Sequence, residues 1–308
     1  MNSWTPADIP AQAGKLALIT GANSGVGFRA AIGLARAGAR VMLGCRSRDK
    51  ATAARLRILA QVPDAQLEPA ILDLASLASI RTFAQTFHAQ QRPLDLLINN
   101  AGVMALPTRQ LTADGFEMQI GTNHLGHFAL TGLLLPAVLA APSARIVTVS
   151  SIAHRGGRIR FDDLNWARDY KPWPAYRQSK LANLYFAFEL DRRLQATHPT
   201  VASIAVHPGV ARTNLFAAGP GQKKDLPGLL APFFISIIGQ SERQGALPTL
   251  YGATAPEARS GHFYGPHGFR EMRGYPVEVT PEAQAYDESA ATRLWTISED
   301  LTNVHYQF

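Results

Sequence analysis

A glycine-rich juncture between the first apolar run and the first helical segment constrains this chain most. Leu16–Thr20 is a short apolar run, Thr20-Gly21-Ala22-Asn23-Ser24-Gly25-Val26-Gly27 follows it, and Val26–Ala37 reads as a small-residue helix. The alternation then continues. Arg40–Gly44, Gln66–Leu72, Leu94–Ile98, Arg145–Ser150 and Val201–Val206 read as strands. Asp49–Ala60, Ser76–Gln90, Thr112–Leu139 and Pro174–Leu194 read as helices, with Ser76 as an N-cap and Pro174 in a first turn. Strands apolar along their whole length, separated by helices, predict an α/β fold with a parallel sheet covered on both faces. At 46% hydrophobic and 17% charged residues, the chain has the material for a sizeable core.

The juncture also predicts a ligand. Glycines allow a tight turn and close backbone approach, and the helix start offers free N–H groups and partial positive charge to a pyrophosphate. The spacing is G-x-x-x-G-x-G, and no Gly-Lys-Ser/Thr follows, which excludes a Walker loop. In a dinucleotide site the end of the second strand selects the ribose: an acid there grips a 2′-hydroxyl and repels a 2′-phosphate. Here Leu43-Gly44-Cys45-Arg46-Ser47-Arg48 carries no acid before Asp49. Arg46, with Ser47 or Arg48, suits a phosphate, so NADP(H) is expected over NAD(H).

Tyr176-Arg177-Gln178-Ser179-Lys180 places a phenol and an ammonium four residues apart, on one face of a helix. An unperturbed phenol has a pKa of about 10, and a neighbouring cation is expected to lower it, giving a proton-transfer pair. Tyr170 and Tyr185 lack a lysine at that spacing.

Together these pieces resemble the short-chain dehydrogenase/reductase family, in order over about residues 15–300. Asp73-Leu74 follows the third strand, where the family contacts adenine; Asn99-Asn100-Ala101-Gly102 matches its N-N-A-G segment; Ser150-Ser151 ends the fifth strand; Pro208-Gly209 follows the sixth. Asn123-His124-Leu125-Gly126-His127-Phe128, Val149-Ser150-Ser151-Ile152-Ala153-His154 and Cys45-Arg46 look most like the retinol dehydrogenase-like branch. The resemblance implies a single-domain doubly wound Rossmann fold with a mostly parallel seven-stranded sheet, helices on both faces and a helical substrate lid. Its divisions would be a cofactor-binding core at 14–206, a lid region at 207–260 and a C-terminal strand and tail at 261–308.

The resemblance further implies hydride transfer between nicotinamide C4 and a carbonyl or alcohol carbon of a small hydrophobic substrate. Tyr176 would be the general acid or base. Lys180 would lower its pKa and hold the nicotinamide ribose. Ser151, with Ser150 as the alternative, would hydrogen-bond the substrate oxygen, and Asn123 would anchor a proton-relaying water. Gly21, Asn23, Ser24, Gly25, Val26, Gly27, Arg46, Asp73, Leu74, Asn100, Ala101, Gly102, Tyr176, Lys180, Pro208, Gly209, Val210 and Thr213 would hold the cofactor. Two other outcomes stay open: a catalytically silent NADP-binding sensor or scaffold, and a reductase of carbon–carbon double bonds.

The remaining features set limits. Lys plus Arg exceed Asp plus Glu by 30 − 23 = 7, but the basic residues are scattered, so no nucleic-acid partner is expected. Cys45 is the single cysteine, which excludes an internal disulfide. No secretory signal or spanning segment is read, and a cytoplasmic protein is expected. No metal is expected: His124 and His127 form H-x-x-H without an adjacent Glu and read as helix packing. Asp114 and Glu117 read as dipole-favouring acids at a helix start. The apolar stripe Leu226–Ile238 reads equally as lid or core, with a membrane-surface role as a third option. A homo-oligomer and a monomer are both compatible with the chain.

Overall fold

The computed structural model describes residues 3–211 and 239–308. The first strand, β1 (Leu16–Thr20), is buried along its whole length, and its side chains alternate between two cores. Leu16 and Leu18 enter one, Ala17 and Ile19 the other, which is the two-residue period of a strand covered on both faces. Helices α1 (Gly25–Arg36) and α2 (Arg48–Leu59) cover one face. Helices α3 (Leu77–His88), α5 (Gly126–Leu139) and α6 (Pro172–Thr197) cover the other. Strands β2 (Arg40–Cys45), β3 (Leu67–Ile71), β4 (Leu96–Asn99), β5 (Arg145–Val149) and β6 (Ala202–Val206) complete the expected parallel set.

Among the described residues the sheet has eight strands, not seven, in the order β3-β2-β1-β4-β5-β6-β7-β8. All neighbours are parallel except the last pair, where β8 (Pro276–Glu278) runs antiparallel to β7 (Phe263–Pro266). β8 is three residues long and begins with proline. Proline cannot donate to a ladder, so it suits the edge and leaves almost no strand pattern to read.

The expected Thr112–Leu139 helix begins later. Thr112–Gly115 is a turn closed by a bridge between Leu111 and Glu117. A short α4 (Met118–Ile120), a π-helical turn (Gly121–Leu125) and then α5 follow. Asp114 does serve a helix start, but that of α3, its carboxylate accepting the Leu77 N–H at 2.9 Å. Ser76 caps α3 as expected.

After β6, α7 (Glu242–Gly245) and α8 (Leu247–Thr254) lead to β7. The C-terminal α9 (Glu288–Thr302) lies across α5 and α6, burying Trp295 against Phe128 and Phe186. Leu226–Ile238, part of the lid region expected at 207–260, lies outside the described residues.

Candidate active site

The strand order reverses between β1 and β4, and ligands of open α/β sheets bind in the crevice such a reversal leaves at the carboxyl ends of the strands. A cavity of about 790 Å³ opens there. Thr20 ties its two walls together. The N–H groups of Asn100 and Ala101 both donate to Thr20 Oγ1 at 2.9 Å, and Asn100 Nδ2 donates to the Thr20 carbonyl at 2.8 Å. Gly27 permits this closeness: a Cβ there would meet Asn100 Nδ2 and stand 2.7 Å from the Gly21 carbonyl. At the start of α1, Ser24 makes no side-chain cap, and no acid occupies the first turn. The helix N–H groups and dipole are thus left for an anion, which fits the pyrophosphate of a dinucleotide. Arg46 and Lys50 line the same end.

At the other end, β5 delivers Ser150 and Ser151 beside α6. The Ser150 hydroxyl is spent, donating to the Lys180 carbonyl at 2.7 Å. Ser151 Oγ accepts the Ala153 N–H at 3.1 Å and stands by the Tyr176 hydroxyl. Tyr176 and Lys180 occupy one face of α6, both 4% exposed, with Lys180 Nζ 5.8 Å from the phenol ring centre. Lys180 Nζ donates to the Val149 carbonyl at 3.1 Å. Asn123, on the π-helical turn, clamps Val103: Oδ1 accepts its N–H at 2.8 Å, and Nδ2 donates to its carbonyl at 2.9 Å and to Ser179 Oγ at 2.9 Å. The Asn123 side chain is therefore fully engaged with protein. The Asn123 carbonyl also accepts from His127 Nδ1 at 3.0 Å.

The electrostatics correct one expectation. Burial pushes the Tyr176 phenol up to about 12, and the Ser151 hydrogen bond, not Lys180, pulls against it. Burial instead brings Lys180 down to about 8. Withdrawal from water sets the direction of both shifts.

His127 is neutral, burial holding it at about 4. Its tautomer follows from proton counting. The Asn123 carbonyl can only accept, so Nδ1 carries the proton, and Nε2 accepts from Thr20 Oγ1 at 2.8 Å. His124 Nε2 meets Ser298 Oγ at 2.9 Å, linking the π-helical turn to α9.

The structure brings together most of the residues singled out from sequence. Gly21, Asn23, Ser24, Gly25, Val26, Gly27, Arg46, Asp73, Leu74, Asn100, Ala101, Gly102, Ser151, Tyr176, Lys180, Pro208, Gly209 and Val210 all line the cavity. Asn123 sits behind it, and Thr213 lies outside the described residues. Sequence reading missed Lys50, which lies in the first turn of α2. It also missed an apolar wall of Met104, Leu106 and Met118, and Arg155 on the rim. No local pattern marks the wall, because Met104 and Leu106 come from the loop after β4 and Met118 from α4.

A family model described as short chain dehydrogenase matches residues 15–223. Retinol dehydrogenase 13 of Homo sapiens is 42% identical over 300 residues, covering 94% of this chain and 85% of that protein. Retinol dehydrogenase 12 of Homo sapiens is 40% identical over 296 residues, covering 96% and 88%. The crystal structure of an uncharacterized protein from Mycobacterium paratuberculosis superposes with a TM-score of 0.80 at 42% identity, covering 100% of both chains. The NADP active-site complex of Pseudomonas aeruginosa RhlG has a TM-score of 0.61 at 26% identity, covering 82% of this chain and 94% of that one.

Proposed function

The chain belongs to the short-chain dehydrogenase/reductase family, and from that premise we propose that it is an NADP(H)-dependent oxidoreductase of hydrophobic carbonyls or alcohols. One observation carries the reading: Ser151, Tyr176 and Lys180 open into the same cavity as the glycine turn and Arg46. The volume of about 790 Å³ lies within the range of about 300–1,000 Å³ usual for small-molecule sites. When bound, the dinucleotide supplies or accepts the hydride at nicotinamide C4.

The chain's residues handle position and protons. Asn23 to Gly27 and the start of α1 hold the pyrophosphate. Asp73 and Leu74 border the adenine side, Pro208 to Val210 the nicotinamide side. Ser151 donates a hydrogen bond to the substrate oxygen. In reduction, Tyr176 gives that oxygen its proton as negative charge gathers there. The Lys180 ammonium stabilises the phenolate left behind. Burial keeps that phenol protonated at neutral pH, the form that gives the proton in reduction. Asn123 acts one layer back, fixing Val103 and Ser179. Met104, Leu106, Met118 and Trp173 make a wall suited to an apolar substrate, in keeping with relatives named for retinol.

Arg46 and Lys50 support the 2′-phosphate. The test is turnover with NADPH and with NADH over ketones, aldehydes and quinones of graded size. NADPH is expected to be preferred about tenfold or more, and Arg46→Ala to remove most of that preference. A preference for NADH overturns the cofactor assignment, and no turnover with either overturns the reading.

A further inference from the structure

The two walls that must bring cofactor and substrate together are Pro208–Val210, after β6, and Ser151–Arg155, after β5. The strand ladder between them ends where the Ser150 N–H donates to the Val206 carbonyl at 2.7 Å. Beyond that point a third segment, the turn between β7 and β8, joins them. Glu271 in this turn uses both carboxylate oxygens. Oε2 accepts from His207 Nε2 at 3.0 Å, and Oε1 accepts from Arg155 Nη2 at 2.6 Å.

His207 passes the constraint on. Its ring is fully buried, and Nδ1 accepts the Gly209 N–H at 3.2 Å. With Nδ1 accepting, the ring proton lies on Nε2 and points at Glu271, so the hydrogen bonding has one solution. The same turn holds the next residue: the Met272 carbonyl accepts the Val210 N–H at 2.8 Å. Gly209 has φ +64°, and a Cβ there would strike that carbonyl, so the wall and the turn touch backbone to backbone. On the other side, Arg155 lies four residues past Ser151 and lines the cavity.

The turn adopts a costly shape. Arg270 and Glu271 have φ of 48° and 58°, two successive non-glycine residues in the left-handed region. Such strain persists only where the surroundings require it. Glycines stand at 268 and 274 in the same turn, yet position 271 carries a side chain that both walls use.

We propose that Glu271 is a positioning residue whose single carboxylate holds the nicotinamide-side wall and the Ser151 wall in register. The proposal rests on the reading that NADPH and a carbonyl compound meet in this cavity. Glu271→Gln keeps the shape but removes the negative charge that both donors share and presents an N–H to one of them, so one arm of the bridge fails and the other weakens. His207→Asn keeps an acceptor for the Gly209 N–H but does not reach Glu271, cutting only the cofactor arm. Arg155→Met cuts only the substrate arm.

The experiment measures NADPH Kd by fluorescence, kcat at saturating NADPH, and backbone hydrogen exchange of each variant against the parent. E271Q is expected to weaken NADPH binding and to lower kcat, each by about tenfold or more. H207N is expected to move mainly the Kd, and R155M mainly kcat and the carbonyl KM. Hydrogen exchange, read without ligand, should quicken in E271Q at both 151–157 and 207–211. E271Q within about twofold of the parent in Kd, kcat and exchange overturns the bridge. So does a pair of single-arm variants that move the same parameter, an outcome that stands even if E271Q does not fold. A parent that neither binds NADPH nor turns over sinks the functional reading instead, and the exchange pattern then decides the bridge alone.

Discussion

Tyr176 and Lys180 show what a sequence can and cannot say about a reactive pair. Their spacing places them on one helix face, and that much was legible. The sign of the phenol's shift was not, because it depends on how much water the rest of the fold removes. Burial raises Tyr176 to about 12 and lowers Lys180 to about 8. The consequence is a pH dependence of definite sign. In the proposed reaction the ammonium, present below about pH 8, supports the phenolate; above that pH its charge is lost. kcat/KM for carbonyl reduction is therefore expected to hold level through neutral pH and to fall as pH rises through about 8. A rate that stays level to the unperturbed lysine range near 10.5 would contradict this. The proposed choice of Ser151 over Ser150 is supported by partners as well: the Ser150 hydroxyl donates to the Lys180 carbonyl.

Among the elements, the strands and the first helices were readable because their apolar runs and caps are local. The π-helical turn at Gly121–Leu125 was not. It is marked by the N–H of Gly126 reaching the Gly121 carbonyl, five residues back. The Asn123 carbonyl there is taken up by His127, which also reaches Thr20 on β1, so one histidine connects α5 to the cofactor turn. The edge strand β8 escaped for a different reason, being three residues with a proline at its start. The C-terminal α9 is held by Trp295, 2% exposed and set against Phe128, Phe186 and Tyr306, with Arg193 4.4 Å from its ring centre. Trp295→Ala should cost about 3–5 kcal/mol in urea unfolding. A loss below about 1 kcal/mol would mean that α9 contributes little to the fold.

On the scale of the whole molecule, the fold puts its titratable burden inside. His124 and His127 are held neutral by burial, at about 3 and about 4. Their unfolded values lie near 6.5, so the unfolded chain binds more protons as pH falls below that point, and stability drops with it. Glu117, raised by burial, works in the opposite sense. His154 and His207, also pushed down by burial, add to the loss, so the expectation between pH 7 and 5.5 is a drop of at least about 2 kcal/mol, read from urea midpoints, and a flat midpoint would contradict it. The scattered charge of +7 offers no basic block, and among the described residues no helix is long and apolar enough to cross a membrane.

In the proposed reaction one phenol handles the proton that accompanies each hydride. The most direct test is Tyr176→Phe, assayed with NADPH and the best carbonyl substrate of the parent, alongside NADPH binding by fluorescence. Turnover should fall by about a thousandfold while NADPH affinity stays within a few-fold. Turnover close to that of the parent would contradict the account.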